Sequence, residues 1–171
     1  LNVILYTIII AVQSSSNISK MTQEISENYG KVHSQAIKYL GLRAHTVFEL
    51  RTKLMRKKFD KRDVEEVLED LLDRKYLDDA DFARMFAQNL IKYRSFGYYG
   101  IKMKLKMRGI DGKLAEDILS EELDMDSEKK IALRALGKSR TKTGMALAAM
   151  LNRKGFRSQV ISSMVGDYSD E

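Results

Sequence analysis

Three segments of this chain superimpose without a gap, and that repeat constrains the fold more than any other feature. Leu50, Leu54 and Phe59 in the first match Ile101, Leu105 and Ile110 in the second and Leu147, Leu151 and Phe156 in the third, with spacings of 4 and 5 each time. Downstream, at fixed offsets, come Val64, Val67 and Leu68, then Ala115, Ile118 and Leu119, then Ile161, Met164 and Val165. Seven residues ahead of each first anchor stands an arginine: Arg43, Arg94 and Arg140. Self-similarity at a period of this length is the mark of a repeat architecture, in which each unit buries part of its apolar face against a neighbour.

Spacings of 3 and 4 put the apolar residues on one face of a helix. Each unit therefore reads as three helices: about 34–44, 46–57 and 61–74, then about 79–93, 98–108 and 112–122, then about 128–138, 143–154 and 158–166. Turn chemistry supports the reading independently. Thr46 followed by Glu49 is a capping box, Thr143 holds the equivalent cap position, and Gly97 the third. Before each last helix an apolar residue stands five positions ahead of another, Phe59 with Val64, Ile110 with Ala115, Phe156 with Ile161, which is the spacing of a hydrophobic staple. The absence of proline from all 171 residues suits uninterrupted helices joined by short turns. The expected fold is all-α, with tandem three-helix repeats in three modules forming an elongated, curved helical array. Its divisions are an uncertain segment over 1–20, a first module with its N-terminal extension over 21–76, a second over 77–124, and a third with a short acidic tail over 125–171. Such an array offers a long surface for an extended partner in preference to a catalytic pocket.

Residues 3 to 12 form an apolar run about half the length of a membrane-spanning helix, and Leu1-Asn2 supplies no basic segment for a secretory signal. No span and no export are expected. The run reads as a strand from an upstream domain or as non-native sequence, with Met21 as a natural start and residues 1 to 20 disordered or loosely packed.

Chemistry is sparse. Without cysteine there is no thiol nucleophile, disulfide or thiolate metal site, and His33 and His45 alone supply no zinc centre. Each histidine is expected at the surface or between helices. Gly97-Tyr-Tyr-Gly100 lacks the strand and the Lys-Ser/Thr ending of a phosphate loop and reads as a helix start. Asp78, Asp79 and Asp81 have no calcium-loop spacing and read as a helix cap with acids in the first turn. Met85, Met103, Met107, Met145, Met150 and Met164 fall on helices, where core packing is the default. Tyr93, Phe96, Tyr98 and Tyr99 straddle one turn among basic residues. They suit base stacking on a single strand or, the preferred reading, a hydrophobic seam between modules. No catalytic residue, metal or cofactor is expected.

The net charge of +6 says little as a total, whereas its distribution is informative. Residues 129 to 157 hold nine basic side chains and no acid, among them Lys138, Arg140, Lys142, Arg153 and Lys154. Over 92 to 113, Lys92, Arg94, Lys102, Lys104, Lys106, Arg108 and Lys113 face Asp111 alone, and in the first module Arg51, Lys53, Arg56, Lys57, Lys58, Lys61 and Arg62 face Asp60 alone. A solvated face explains any one cluster. Three clusters in register are better explained as an electropositive track that meets phosphates and weakens with salt. For Arg43, Arg94 and Arg140 a structural role near a helix end is favoured over ligand contact.

Several stretches together resemble the RecX family, the small modulators of the bacterial recombinase RecA. They are Ala36-Ile-Lys-Tyr-Leu40, Arg43, Thr46 to Leu54, Tyr76-Leu-Asp-Asp79, Phe82-Ala83, Arg94-Ser-Phe-Gly97, Ile101, Leu105, Arg108-Gly-Ile110 and Lys154-Gly-Phe156. The stretch from Tyr76 through Gly97 is the most specific. The resemblance covers about residues 36 to 165 and implies tandem three-helix modules without enzymatic activity. It further implies binding along the groove of a RecA filament on single-stranded DNA, damping strand exchange, ATP hydrolysis and repressor coproteolysis. The longer members' N-terminal extension is expected to be absent or replaced by residues 1 to 20. What transfers is a basic surface at Arg43, Arg51, Lys53, Arg56, Lys57, Lys92, Arg94, Lys102, Lys104, Lys106, Arg108, Lys138, Arg140, Lys142, Arg153 and Lys154. The expected partners are the RecA filament and, weakly or indirectly, single-stranded DNA, for a cytoplasmic monomer. Two rival readings stand beside it: a helix-turn-helix regulator using Thr46 to Lys58 as its basic helix, and a helical scaffold for acidic peptides.

Overall fold

The computed structural model describes residues 27–137 and 144–169, and among these every regular element is a helix. In chain order they are α1 over 27–40, α2 Val47–Arg56, α3 Lys61–Asp73, α4 Asp79–Tyr93, α5 Tyr98–Met107, α6 Gly112–Glu122, α7 Met125–Leu136, α8 Gly144–Arg153 and α9 Ser158–Ser169. The fold is an all-α helical repeat. Among the described residues no helix is long and apolar enough to cross a membrane. Thr143, Arg140, Lys138, Lys142 and residues 1 to 20 lie outside the described residues.

The chain divides after Leu77 into two compact units. The first packs α1, α2 and α3 around Val32, Ala36, Leu50, Leu54, Val64, Val67, Leu68 and Leu71. The second unites α4 to α9 around one core that contains Ile101, Leu105 and Ile110 together with Leu147, Leu151 and Phe156. The repeat anchors are thus core residues, and Leu50, Leu54, Ile101, Leu105 and Leu151 are fully buried.

The turns repeat as well as the stripes. At the position before each staple residue the backbone takes a positive φ, at Lys58 (63°), Gly109 (84°) and Gly155 (75°). In the second and third copies the amide three residues past the helix reaches back five positions, Ile110 to the Leu105 carbonyl and Phe156 to the Leu151 carbonyl, each at 3.2 Å. This left-handed ending satisfies orphan carbonyls and joins two buried apolar side chains across the turn. The next residue caps the following helix: Asp60 accepts the Arg62 amide and Asp111 those of Lys113 and Leu114. Asp78 and Asp124 cap α4 and α7 in the same way, Asp78 through the amides of Ala80 and Asp81, Asp124 through that of Ser127.

Three expectations shift. The first helix runs from at least residue 27 and stops at 40, before the Gly41 turn, and α7 starts at Met125 because Asp124 caps it. Met85, Met103, Met107 and Met145 are exposed, since they fall between the buried stripe positions of their helices; only Met164 of the group is buried. The aromatic cluster splits, with Phe96 and Tyr98 against the core and the rings of Tyr93 and Tyr99 mostly exposed.

Candidate functional site

The geometry of the second unit is set at the junction of the α4–α5 turn with the α8–α9 turn. Gly97 caps α5 without a side chain. Its amide donates to the Lys154 carbonyl at 3.1 Å, and the amides of Tyr99 and Gly100 donate to the Gly155 carbonyl at 2.8 and 3.3 Å. The two backbones touch: a Cβ on Gly100 would stand 2.2 Å from the Lys154 carbonyl oxygen, and one on Gly97 2.3 Å from the Phe156 Cα. Glycine is required here because only a bare backbone allows this approach.

A buried carboxylate supplies the missing cap. Glu128, on α7, accepts the Tyr98 amide at 2.9 Å and the Arg157 amide at 3.0 Å through Oε1, while the Arg157 guanidinium donates to Oε2. One side chain thereby serves the first turns of both α5 and α9, where helix dipoles favour negative charge. Arg157 also donates to the Leu123 carbonyl and lies over the Tyr98 ring. At the other end of α4, the Arg134 guanidinium donates to the carbonyls of Ile91, Lys92 and Arg94, closing the helix end that carries Tyr93.

These contacts shape a cleft of about 630 Å³ lined by α4, α5 and the end of α8. Phe86, Leu90 and Phe96 line it together with Tyr93 and Met107, and its cations are Arg94, Lys104, Arg108 and Lys154; the lining includes no carboxylate. The Lys104 and Lys154 ammonium groups lie 4.1 and 5.7 Å from the Phe96 ring centroid, and the Arg108 guanidinium 5.1 Å from that of Phe86. A second cleft beside it adds Tyr99, Met103 and Arg153.

The other basic positions divide by what they touch. Arg51 makes a two-pronged pair with Glu65, both bonds at 2.8 Å, and Lys102 pairs with Glu116. These are the same two repeat positions, and the Arg51 bond holds the Glu65 carboxyl below its usual pKa while the Glu116 bond raises that of Lys102. Arg43 donates to Glu49 and to the Ala44 carbonyl. Lys53 lies over the Tyr39 ring with its ammonium 2.7 Å from His45 Nε2. Lys92 covers the Tyr93 ring. Arg56 and Lys57 are exposed at the end of α2, and Lys106 is exposed on α5. His33 and His45 both lie between helices, His33 against Asp70 and Tyr29, His45 buried.

Sequence reasoning missed Glu128 and Phe86, and it counted Arg134 and Arg157 among the nine basic side chains over 129 to 157, whereas both are committed to contacts within the second unit. Two signals pointed toward Glu128: the third copy has Arg157 where the others carry a capping Asp, and the second has a Gly cap. Each calls for a carboxylate from elsewhere.

Residues 33–71 match the family model described as RecX, first three-helix domain, and residues 78–119 match RecX, second three-helix domain. The chain is 37% identical over 91 residues to the regulatory protein RecX of Prosthecochloris aestuarii, covering 53% of this chain and 60% of that one. It is 38% identical over 132 residues to that of Deinococcus radiodurans, covering 74% and 62%. It therefore spans about three fifths of the length of these two curated relatives. The crystal structure of RecX from Lactobacillus salivarius superimposes with a TM-score of 0.76 at 20% identity, over 85% of this chain and 99% of that one, a likeness of fold.

Proposed function

The chain belongs to the RecX family, and from that premise we propose that it is a regulator of the RecA recombinase that binds the filament RecA forms on single-stranded DNA. On this reading it acts in the cytoplasm by binding and not by catalysis. It damps strand exchange, ATP hydrolysis and repressor coproteolysis.

The observation that carries the reading is the cleft of the second unit, where Lys104 on α5 and Arg94, Arg108 and Lys154 just past the ends of α4, α5 and α8 converge without a carboxylate among the lining residues. Cations so gathered engage an anionic polymer through counterion release. The helix-turn-helix alternative is disfavoured by side-chain commitments in the first unit. Arg51 is held by Glu65 and Lys53 faces His45, so α2 does not offer a uniformly available basic face. Behind it α3 carries Asp63, Glu65, Glu66, Glu69, Asp70 and Asp73, which would meet duplex phosphates with like charge.

Salt-dependent binding to single-stranded DNA with and without RecA tests the reading. A large gain in affinity with RecA present is expected. Equal binding in its absence, or a preferred duplex sequence, would count against it.

A further inference from the structure

Lys104 lies on α5 and Lys154 in the turn after α8, yet both place their ammonium groups on the ring of Phe96, at 4.1 and 5.7 Å from its centroid. The ring's negative face offsets part of the cost of gathering like charges, and an anion lodged between them would offset the rest. Beside this pair stands apolar surface that the fold leaves uncovered: Tyr93 is 60% and Met107 73% exposed, both in the cleft lining. Phosphate-sized charge next to a largely exposed aromatic ring, with Lys92 over one part of it, is the pattern of a single nucleic-acid strand, whose bases are open to stacking. A duplex offers no such base face.

We propose that this cleft holds one nucleotide of a single strand, with its base stacked on the Tyr93 ring and its phosphate between Lys104 and Lys154. The inference rests on the filament reading for the source of the strand. The volume of about 630 Å³ lies within the roughly 300–1,000 Å³ of small-molecule sites, which suits one nucleotide. An acidic peptide fits less well, because an extended peptide seeks backbone acceptors. Several around the cleft are already engaged: the carbonyls of Ile91, Lys92 and Arg94 by Arg134, that of Lys154 by the Gly97 amide, and that of Gly155 by Tyr99 and Gly100. What the lining presents is chiefly cations and rings.

The chain has no tryptophan, so Tyr93→Trp installs a single indole reporter at the stacking position. Titrating this full-length variant with a homothymidine oligonucleotide should quench its fluorescence, whereas an abasic oligonucleotide of the same length should bind about tenfold more weakly without quenching. In the otherwise native chain Tyr93→Ala should lose affinity for the thymidine strand about tenfold and Tyr93→Phe should retain it, with thermal unfolding unchanged in both because the ring is exposed. Equal affinity for the abasic strand, an unaffected Tyr93→Ala, or equally tight binding and quenching by polyglutamate would overturn the inference. No recombinase is present in these titrations, so they read the cleft alone, and the comparison with and without RecA reads the proposed function.

Discussion

The fully buried Glu128 forms an ion pair with the partly exposed Arg157 in which the carboxylate also accepts the arginine's own backbone amide, at 3.0 Å. With its second amide, that of Tyr98, Glu128 ties α7 to the first turns of α5 and α9 and so fixes the turn that lines the cleft. The residue is fully buried, so removing it strands donors with no water to replace it. Glu128→Ala should cost about 3–5 kcal/mol in denaturant unfolding, as breaking a buried ion pair does. Glu128→Gln should cost less, because its amide oxygen still accepts one backbone N–H. A loss below about 0.5 kcal/mol for the alanine variant, typical of a neutral surface change, would remove the cap from the account.

The glycine joint makes a paired prediction. A methyl on Gly100 or Gly155 meets opposing backbone at 2.2 or 2.1 Å, so Gly100→Ala and Gly155→Ala should each destabilise by about 1–3 kcal/mol or more, as overpacking does. Gly30 lies within α1, where an added methyl would meet nothing within 4 Å, and Gly30→Ala should instead stabilise by about 0.5–1 kcal/mol. Thermal unfolding of the three variants side by side checks both signs.

Basic residues that look equivalent in the sequence should separate in function. Arg51 and Lys102 hold Glu65 and Glu116, and replacing either with alanine should leave the salt dependence of strand binding nearly unchanged. A double-mutant cycle on Arg51 and Glu65 should give a coupling of about 0.2–1 kcal/mol, as for exposed pairs. Lys104→Ala or Lys154→Ala should each lower the slope of log affinity against log salt, by up to about 0.7, the contribution of the one phosphate they share. Equal slopes across all four variants would contradict the division.

Much of the fold was legible in the sequence because its determinants are local and repeated. Leu50, Ile101 and Leu147 mark the core at one register position, and Asp60 and Asp111 start α3 and α6 by the same bond. The site was legible only as a composition. The ion pairs that remove Arg51 and Lys102 from the track join residues 14 apart on neighbouring helices, so they depend on how two helices pack. Their recurrence at one offset was the available clue. Glu128 reaches partners about 30 residues away on either side, and no local rule ties an acid in the first turn of one helix to two amides of distant turns.

The first unit should respond to mild acid. His45 is buried with Nδ1 facing the Arg43 carbonyl and Nε2 facing the Lys53 ammonium. Since an ammonium cannot accept, the neutral ring donates from Nδ1 and accepts at Nε2. Burial pushes its pKa down, with the charges of Arg43 and Lys53 adding to the effect, so the unfolded chain takes up the proton first. The stabilisation is present above about pH 6.5 and is lost as the pH falls below it. The carboxyls of Glu65, Asp111 and Asp124, lowered by their partners, respond only in stronger acid, below about 4.5. The thermal midpoint should therefore fall between about pH 7 and 5, and His45→Gln should flatten that interval. An identical profile in the variant would assign the acid sensitivity elsewhere.

The central claim, that cations gathered in the second unit's cleft let this chain act on a recombinase filament, is tested most directly by ATP hydrolysis of RecA on single-stranded DNA. Titration with the full chain should suppress hydrolysis, and the double reversal Lys104→Glu with Lys154→Glu should require at least about tenfold more protein, the loss of roughly 1.4 kcal/mol of binding. Unchanged hydrolysis at several-fold excess of the native chain, or equal suppression by the double variant, would contradict it.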